Sequence, residues 1–470
     1  MLDKPSLLSR FGDIVGARHV ITEPADMERY LVEDRGLYHG RALCVVRPGK
    51  VEEVSRLVAL CGETNTKIVP QGGNTGLVGG QIPSESGNEI VLSLARLTAI
   101  REVDAASNTM IVEAGVTLLR AQEEAEKADR LFPLSLASEA SCTIGGNLST
   151  NAGGTAVLAY GNARDLVLGL EVVLADGRVL SNLSKLKKDN TGYDLKHLFM
   201  GAEGTLGIIT AAVLKLFPRL RARTTAFVGL ASPKDALSLL TLAQERAGSS
   251  LVTFELIPRI GIEFVLRHSP GARDPLSGRH AWYVLMELAS QAEHGLEETA
   301  QSLLADAIER GMAEDAALAS SLDQRNDFWR LREHLSEVQK HEGGSIKHDV
   351  SVPIAAVPAF IETAKTAVKA ALPGARVVAF GHLGDGNIHF NVSQPIGADK
   401  AAFLARWHEI NDVVHGIVAT YGGSVSAEHG IGRLKRDLLP KVKDPVALEV
   451  MRALKRTLDP KGLLNPGKVL

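Results

Sequence analysis

The chain has 470 residues, 45% of them hydrophobic and 23% charged, with a formal net charge of −3. That length exceeds one ordinary domain, the composition is that of a soluble globular protein, and the near-neutral balance gives no reason to expect nucleic acid or an anionic lipid surface as partner. No run of about 18 apolar residues occurs, so no membrane span is predicted. The start, Met1-Leu2-Asp3-Lys4-Pro5, lacks the basic-then-apolar pattern of a secretory signal. Cys44, Cys61 and Cys142 show no metal-type spacing and are expected as small core residues in a reduced, cytoplasmic setting.

In chain order, residues 1–40 read as a helical lead-in. A short apolar run at 42–46 predicts a strand, and the apolar spacing of Val51, Val54, Leu57, Val58 and Leu60 predicts a helix over 51–64. A strand at 67–70 runs into a glycine-rich loop. Strands follow at 89–94, 109–113, 166–174 and 207–216. A turn residue and a basic cluster at 218–223 mark a domain boundary. Beyond it, strands are predicted at 224–230, 251–257, 281–288, 346–352, 377–380 and 387–392. Helices are predicted at 233–246, 296–308, 357–371, 400–421 and 445–458. The fold class is α+β. A first domain spans 1–218 and a second 219–420, an antiparallel sheet with helices on one face. A C-terminal segment, 421–470, carries Glu428 and His429.

Two constellations carry chemistry. The first is Pro70-Gln71-Gly72-Gly73-Asn74-Thr75-Gly76. A glycine-rich turn between strand and helix aims several backbone N–H groups one way, which suits a pyrophosphate. Its spacing is neither that of a dinucleotide-binding βαβ fingerprint nor that of a nucleotide-hydrolysing phosphate loop. Alone, it fits a tight surface turn equally well.

The second constellation joins Gly381-His382-Leu383-Gly384-Asp385-Gly386-Asn387-Ile388-His389 to Ser426-Ala427-Glu428-His429-Gly430. Imidazole and carboxylate are what a borderline divalent metal prefers, and three protein ligands leave positions open for substrate. Gly384-Asp385-Gly386 predicts a tight bend that brings His382 beside His389, with Asn391 on the same strand face as His389. Glu428 lies on a glycine-flanked loop, and His429 beside it is a candidate acid or base. Any one histidine here is more often a satisfied surface or core residue; the set together favours a site. Arg332 and Ser336, four apart on a predicted helix, and Lys347, on a predicted strand, could clamp a carboxylate. Spacing alone favours a solvated helix face for them.

Further motifs sit between the two: Pro133–Ser138, Thr143–Gly154, Tyr160–Asp165 and Gly201–Thr210. With the first loop they resemble, over about 40–217, the flavin-binding domain of the vanillyl-alcohol oxidase and p-cresol methylhydroxylase superfamily. The resemblance implies FAD, with residues 70–76 at its pyrophosphate. Ser138, Gly145, Gly146, Asn151 and Gly153 would surround the flavin, Gly204 and Ile209 would lie toward the nucleotide, and Asn465 would complete the cofactor set. Some relatives link FAD covalently through a His or Cys in or near these loops; the first loop here carries Asn74 and no histidine, so a non-covalent FAD is expected, with Cys142 the remaining candidate for such a link.

Over about 220–470 the chain resembles the substrate domain of FAD-dependent D-2-hydroxy-acid dehydrogenases, most of all those acting on D-2-hydroxyglutarate. The resemblance implies His382, His389 and Glu428 as ligands of Zn²⁺ or Mn²⁺ and His429 as the base. It places Arg332, Ser336 and Lys347 at the distal carboxylate of the substrate and Asn391 near the first. Ser336 departs from that group, which carries Thr at this position. D-malate is a second candidate substrate. The alternatives are D-lactate or glycolate, or a flavin subunit of a larger electron-transfer complex. The electron acceptor is left open between candidates such as an electron-transfer flavoprotein and the quinone pool, and a homodimer completes the expectation.

Overall fold

The computed structural model describes residues 3–470. The chain divides into two compact units. Of the described residues, the first comprises 3–154, 161–219 and 428–470, and the second 155–160 and 220–427.

Among the described residues the first unit holds three sheets, the smallest a two-stranded pairing of Arg130–Leu131 with Phe217–Pro218. In the four-stranded sheet, Val20–Ile21 pairs antiparallel with Cys44–Val46, and Glu89–Ser93 lies parallel between Cys44–Val46 and Lys67–Gln71. The helix Val51–Thr64 covers it, as its apolar period predicts. Val54, Leu57, Val58 and Cys61 pack on Cys44, Val46, Ile68, Ile90 and Leu92. The helix stops at Asn65, whose left-handed backbone (φ 53°) lets its N–H return to Cys61 O. Each fully buried Leu or Val here contributes about 1.5–3 kcal/mol. The largest sheet is antiparallel, in the order Ile100–Asp104, Thr109–Glu113, Ile208–Lys215, Val167–Val173, Val179–Asn182.

The C-terminal segment joins this unit through the backbone. Ile68 N–H donates to Leu463 O, and Asn465 N–H donates to Ile68 O, both at 2.8 Å. Its helix, Pro445–Leu458, is capped by Asp444 and begins with proline. The lead-in differs from expectation. Helices Lys4–Val15 and Pro24–Leu31 are separated by the strand Val20–Ile21, because the edge of the four-stranded sheet takes these two residues as a partner.

The second unit is built on an antiparallel sheet in the order Asp315–Leu318, Ala222–Leu230, Trp282–Ser290, Leu251–Pro258, Arg376–His382, Asn387–Ser393, Ser345–Ile346, with Asp349–Ser351 also pairing with Asn387–Ser393. The expectation of helices on one face only is wrong. Phe227, Tyr283, Leu285, Ile257, Val378 and Phe380 are buried against Phe328, Leu331 and Leu335 of the helical segments that follow. The alternating positions Ala226, Val228, Val284, Met286 and Leu256 are equally buried. A strand buried on both faces reads as a continuous apolar run, as Trp282–Met286 does.

Three predicted elements are broken. The helix predicted over 400–421 is two helices, Lys400–Ala405 and Trp407–Thr420. The helical stretch of Arg332 and Ser336 breaks at His334 into Leu322–Glu333 and Leu335–Val338, where the His334 ring bonds Ser269 Oγ at 2.8 Å. Lys347 lies between strands and not on one. The chain turns there to bring His348 inward, and His348 Nδ1 donates to Phe390 O at 2.7 Å. Cys44, Cys61 and Cys142 are free and buried, and burial raises the Cys44 thiol to about 12. Among the described residues no helix is long and apolar enough to cross a membrane.

Candidate functional site

In the first unit the glycine-rich segments converge. A Cβ on Gly73 would lie 1.9 Å from Ser141 O, and one on Gly72 would lie 2.4 Å from Thr143 Oγ1. One on Gly204 would meet the Pro70 ring at 2.5 Å. At Gly72, Gly73 and Gly204 these segments therefore approach one another more closely than any side chain there would allow. Gly145 and Gly146 open the short helix Ile144–Thr150, capped by Thr143. Asn151 closes it in the left-handed region and accepts Arg164 N–H at 2.9 Å. Ser138 O accepts the N–H groups of Ser141 and Cys142, folding the turn that meets Gly73. Ile209 is buried in the strand Ile208–Lys215.

Gln71 is spent internally, its amide donating to Tyr30 O and Gln81 O. Asn74 donates to Arg29 O and Val32 O, and Asn465 to Gly80 O and Glu203 O. The amide oxygens of Asn74 and Asn465 are buried without a partner among the described residues. Two acceptors awaiting donors, beside a cradle that a Cβ would fill, fit a bound FAD with ribityl hydroxyls and ring N–H groups.

The same unit fixes the Glu428 loop. Gly154 N–H donates to Glu428 Oε1 at 2.5 Å, and a Cβ on Gly153 would reach that oxygen at 2.7 Å. Ligating atoms of Glu428 and His429 lie within 4.8 Å of each other. Glu203, absent from the sequence-derived set, accepts Ile431 N–H at 2.7 Å and Gly432 N–H at 2.8 Å. Burial pushes the Glu203 carboxyl up to about 7, against the pull of those two N–H groups and of Lys435.

In the second unit, Arg376–His382 and Asn387–Ser393 form the predicted hairpin, with Phe380 opposite His389 and His382 opposite Asn387. The rings of His382 and His389 are 5.6 Å apart, and their ligating nitrogens lie within 4.8 Å. Asp349, on the neighbouring strand, stands 4.0 Å from His389 Nδ1 and accepts Asn387 Nδ2–H at 3.0 Å. Asn391 donates to Gln339 Oε1 at 3.1 Å. Ala427 N–H reaches Asp349 O at 3.3 Å, so the loop leaves this sheet one residue before Glu428.

Arg332 is buried, and its Nε–H donates to Glu255 Oε2 at 2.6 Å with the guanidinium 4.9 Å over the Phe380 ring. The other Glu255 oxygen accepts His382 Nδ1–H at 2.5 Å. Glu255 is fully buried, which alone would raise its pKa; His382 and Arg332 overcome that and hold it near about 2. Lys347 Nζ donates to Ser336 O at 3.1 Å, so these two predicted residues are neighbours, while Arg332 is tied to Glu255. Sequence reasoning missed Glu255. Its signal was an acid in the middle of the apolar strand Leu251–Pro258.

The fold and the glycine-lined cradle define a flavoprotein of the p-cresol methylhydroxylase type. Solved structures agree on the fold: p-cresol methylhydroxylase aligns with a TM-score of 0.77 at 17% identity, covering 99% of this chain and 96% of that one. Alkyldihydroxyacetonephosphate synthase aligns at 0.74 and 19% identity, covering 99% and 85%. Residues 42–182 match the FAD binding domain family, and residues 219–469 match the family of FAD linked oxidases, C-terminal domain. The chain belongs to the FAD-linked oxidase family and is an FAD-linked dehydrogenase.

It is similar to the D-2-hydroxyglutarate dehydrogenase of Xanthomonas citri pv. viticola, with 37% identity over 99% of this chain and 97% of that protein. The mitochondrial D-2-hydroxyglutarate dehydrogenase of Bos taurus is 38% identical over 96% and 81%. A putative mitochondrial D-lactate dehydrogenase of Schizosaccharomyces pombe is 33% identical over 98% and 88%.

Proposed function

We propose that this enzyme oxidises a D-2-hydroxy dicarboxylate, D-2-hydroxyglutarate ahead of D-malate, to the 2-oxo acid. The observation that carries a metal-assisted reading is the His382–Glu255 hydrogen bond at 2.5 Å. An ionised carboxylate accepts only, so Nδ1 carries the proton and Nε2 is the ring's ligand atom, the tautomer a metal-binding histidine needs. With His389 and Glu428 it makes a two-imidazole, one-carboxylate donor set suited to zinc or manganese. FAD would supply the hydride acceptor at N5, and the metal would polarise the C2 hydroxyl.

His429 takes the hydroxyl proton as general base while the C2 hydride leaves, so the alcohol loses one proton and one hydride and becomes the ketone. Arg332 and Lys347 bind the distal carboxylate. The Arg332 Nε–H is spent on Glu255, so its terminal N–H groups make that contact. Curated relatives named for D-2-hydroxyglutarate, at 35% to 38% identity, support the substrate choice. The relative named for D-lactate supports a second reading, the same chemistry on a monocarboxylate.

The test is anaerobic titration of metal-replete protein with D-2-hydroxyglutarate, D-malate, D-lactate, glycolate and the L-enantiomers, following the visible band of oxidised flavin. Bleaching by the D-dicarboxylates in preference supports the reading. Preference for D-lactate or glycolate removes the distal clamp, and bleaching by none of them favours a subunit that needs a partner.

A further inference from the structure

We infer that Glu255 is a positioning residue that sets two parts of the site at once: the ligating tautomer of His382 and the direction of Arg332. The inference rests on the metal reading above and deepens it. Glu255 is one of two acids buried in the middle of apolar strands of the second unit, and comparison with the other shows what is particular to it. Glu287, on Trp282–Ser290, accepts from Arg223, Arg325, Trp329 Nε1 and Thr225 Oγ1 at 2.9–3.2 Å. Its partners are cations and neutral donors with no ligand chemistry, and it pins strand to helix.

Glu255 has one cation and one imidazole. Oε2 holds Arg332 Nε at 2.6 Å, and Oε1 holds His382 Nδ1 at 2.5 Å. Register explains the meeting. Glu255 is the residue of Leu251–Pro258 paired directly with His382 on Arg376–His382. Arg332 arrives from the helix Leu322–Glu333, its guanidinium stacked on Phe380 two residues before His382. One carboxylate thus uses both oxygens on groups of different function.

Two consequences follow. A histidine that donates from Nδ1 to a carboxylate is a more basic ligand at Nε2 and is fixed in ring orientation; loss of such a partner typically costs 10–100-fold in metal affinity. A guanidinium anchored through Nε is pre-oriented, so its terminal N–H groups lose less freedom on meeting a carboxylate. Glutamine at 255 keeps the shape but puts an NH2 donor where one acceptor oxygen stood, so it cannot hold Arg332 and His382 as the carboxylate does, and leucine offers neither of them an acceptor.

The experiment measures Zn²⁺ affinity of the flavin-loaded, metal-stripped protein by competition with a chromophoric chelator, for wild type, Glu255→Gln, Glu255→Leu, Arg332→Met, Glu255→Leu/Arg332→Met, Glu287→Gln and His382→Ala. KM for D-2-hydroxyglutarate and D-lactate is measured on the metal-saturated proteins. Wild type should bind Zn²⁺ and His382→Ala should bind it far more weakly. Glu255→Gln and the double variant should each bind it about 10–100-fold more weakly, whereas Arg332→Met and Glu287→Gln should stay within about threefold of wild type. The double variant leaves no unpaired buried charge, so it reports on the imidazole even where Glu255→Gln folds poorly. Replacing Arg332 should raise KM for the dicarboxylate much less when Leu already stands at 255 than when Glu does. A double variant that binds Zn²⁺ as tightly as wild type, with His382→Ala still defective, overturns the role of Glu255 and leaves the metal reading standing. Glu287→Gln weakening Zn²⁺ as much as Glu255→Gln reduces the effect to general stability. Wild type that takes up no metal overturns the metal reading and this inference with it.

Discussion

Gly73→Ala tests whether the glycine loops form a cofactor cradle. The new methyl would lie 1.9 Å from Ser141 O and 3.1 Å from Cys142 Cα. Ordinary contact begins near 3.4 Å, so the two backbone segments must part by roughly 1.5 Å, and neither is a flexible side chain that can swing away. Overpacking of this kind costs about 1–3 kcal/mol. If FAD binding requires these loops closed, that cost falls on binding and raises the FAD Kd about 5- to 150-fold. The assay is fluorescence titration of deflavinated protein with FAD, with thermal unfolding of apo and holo forms beside it. A matched control is Gly416→Ala. Gly416 sits inside the helix Trp407–Thr420 with nothing within 4 Å of its would-be Cβ, so the same methyl should stabilise by about 0.5–1 kcal/mol. If Gly73→Ala keeps the FAD Kd within about twofold and an unchanged holo Tm, the cradle is misassigned.

Three further outcomes are expected. His429→Ala should lower kcat by about 10²–10⁴-fold with normal flavin content; a kcat within about twofold of wild type removes the base. Arg332→Met and Lys347→Met should raise KM for D-2-hydroxyglutarate more than they lower kcat, and hardly alter KM for D-lactate; equal effects on both acids would refute the clamp, and steady-state kinetics on the two substrates decide it. Glu342→Gln concerns acid stability. Burial alone would raise the Glu342 carboxyl, but Arg376, His268 and Arg267 draw it down to about 2. A depressed pKa stabilises the fold above the unfolded value near 4.5, and that stabilisation is lost as pH falls toward 2. The variant's Tm deficit should therefore be largest near pH 6 and shrink below pH 4.5, read by thermal unfolding across that range; a deficit that does not change with pH would assign the loss to packing.

Much of the fold was legible where one local rule acts alone. The helix Val51–Thr64 follows from its apolar period and the Asn65 stop, and the hairpin Arg376–His382/Asn387–Ser393 follows from Gly384-Asp385-Gly386. The glycine loops were legible because φ values and close approaches that only glycine tolerates leave a pattern in the chain. The errors arose where tertiary partners overrode the local pattern. Val20–Ile21 became a strand because the edge strand Cys44–Val46 accepted it. The helix carrying Arg332 broke at His334, which bonds Ser269 sixty-five residues upstream. Sheet order, which no local rule fixes, buried both faces of the second unit's sheet.

Glu255 shows what kind of sequence signal was present and unused. A carboxylate amid Leu251, Val252, Phe254, Leu256 and Ile257 costs several kcal/mol to bury unless charges meet it. Such a residue announces that partners exist without saying which. Its partners lie 77 and 127 residues downstream, and only the pairing of Leu251–Pro258 with Arg376–His382 delivers them. The same reasoning applied to Glu287 finds arginines 64 residues upstream and 38 downstream, yet no imidazole. A buried acid in an apolar strand therefore predicts a polar cluster from sequence alone, and the chemistry of that cluster is decided by register.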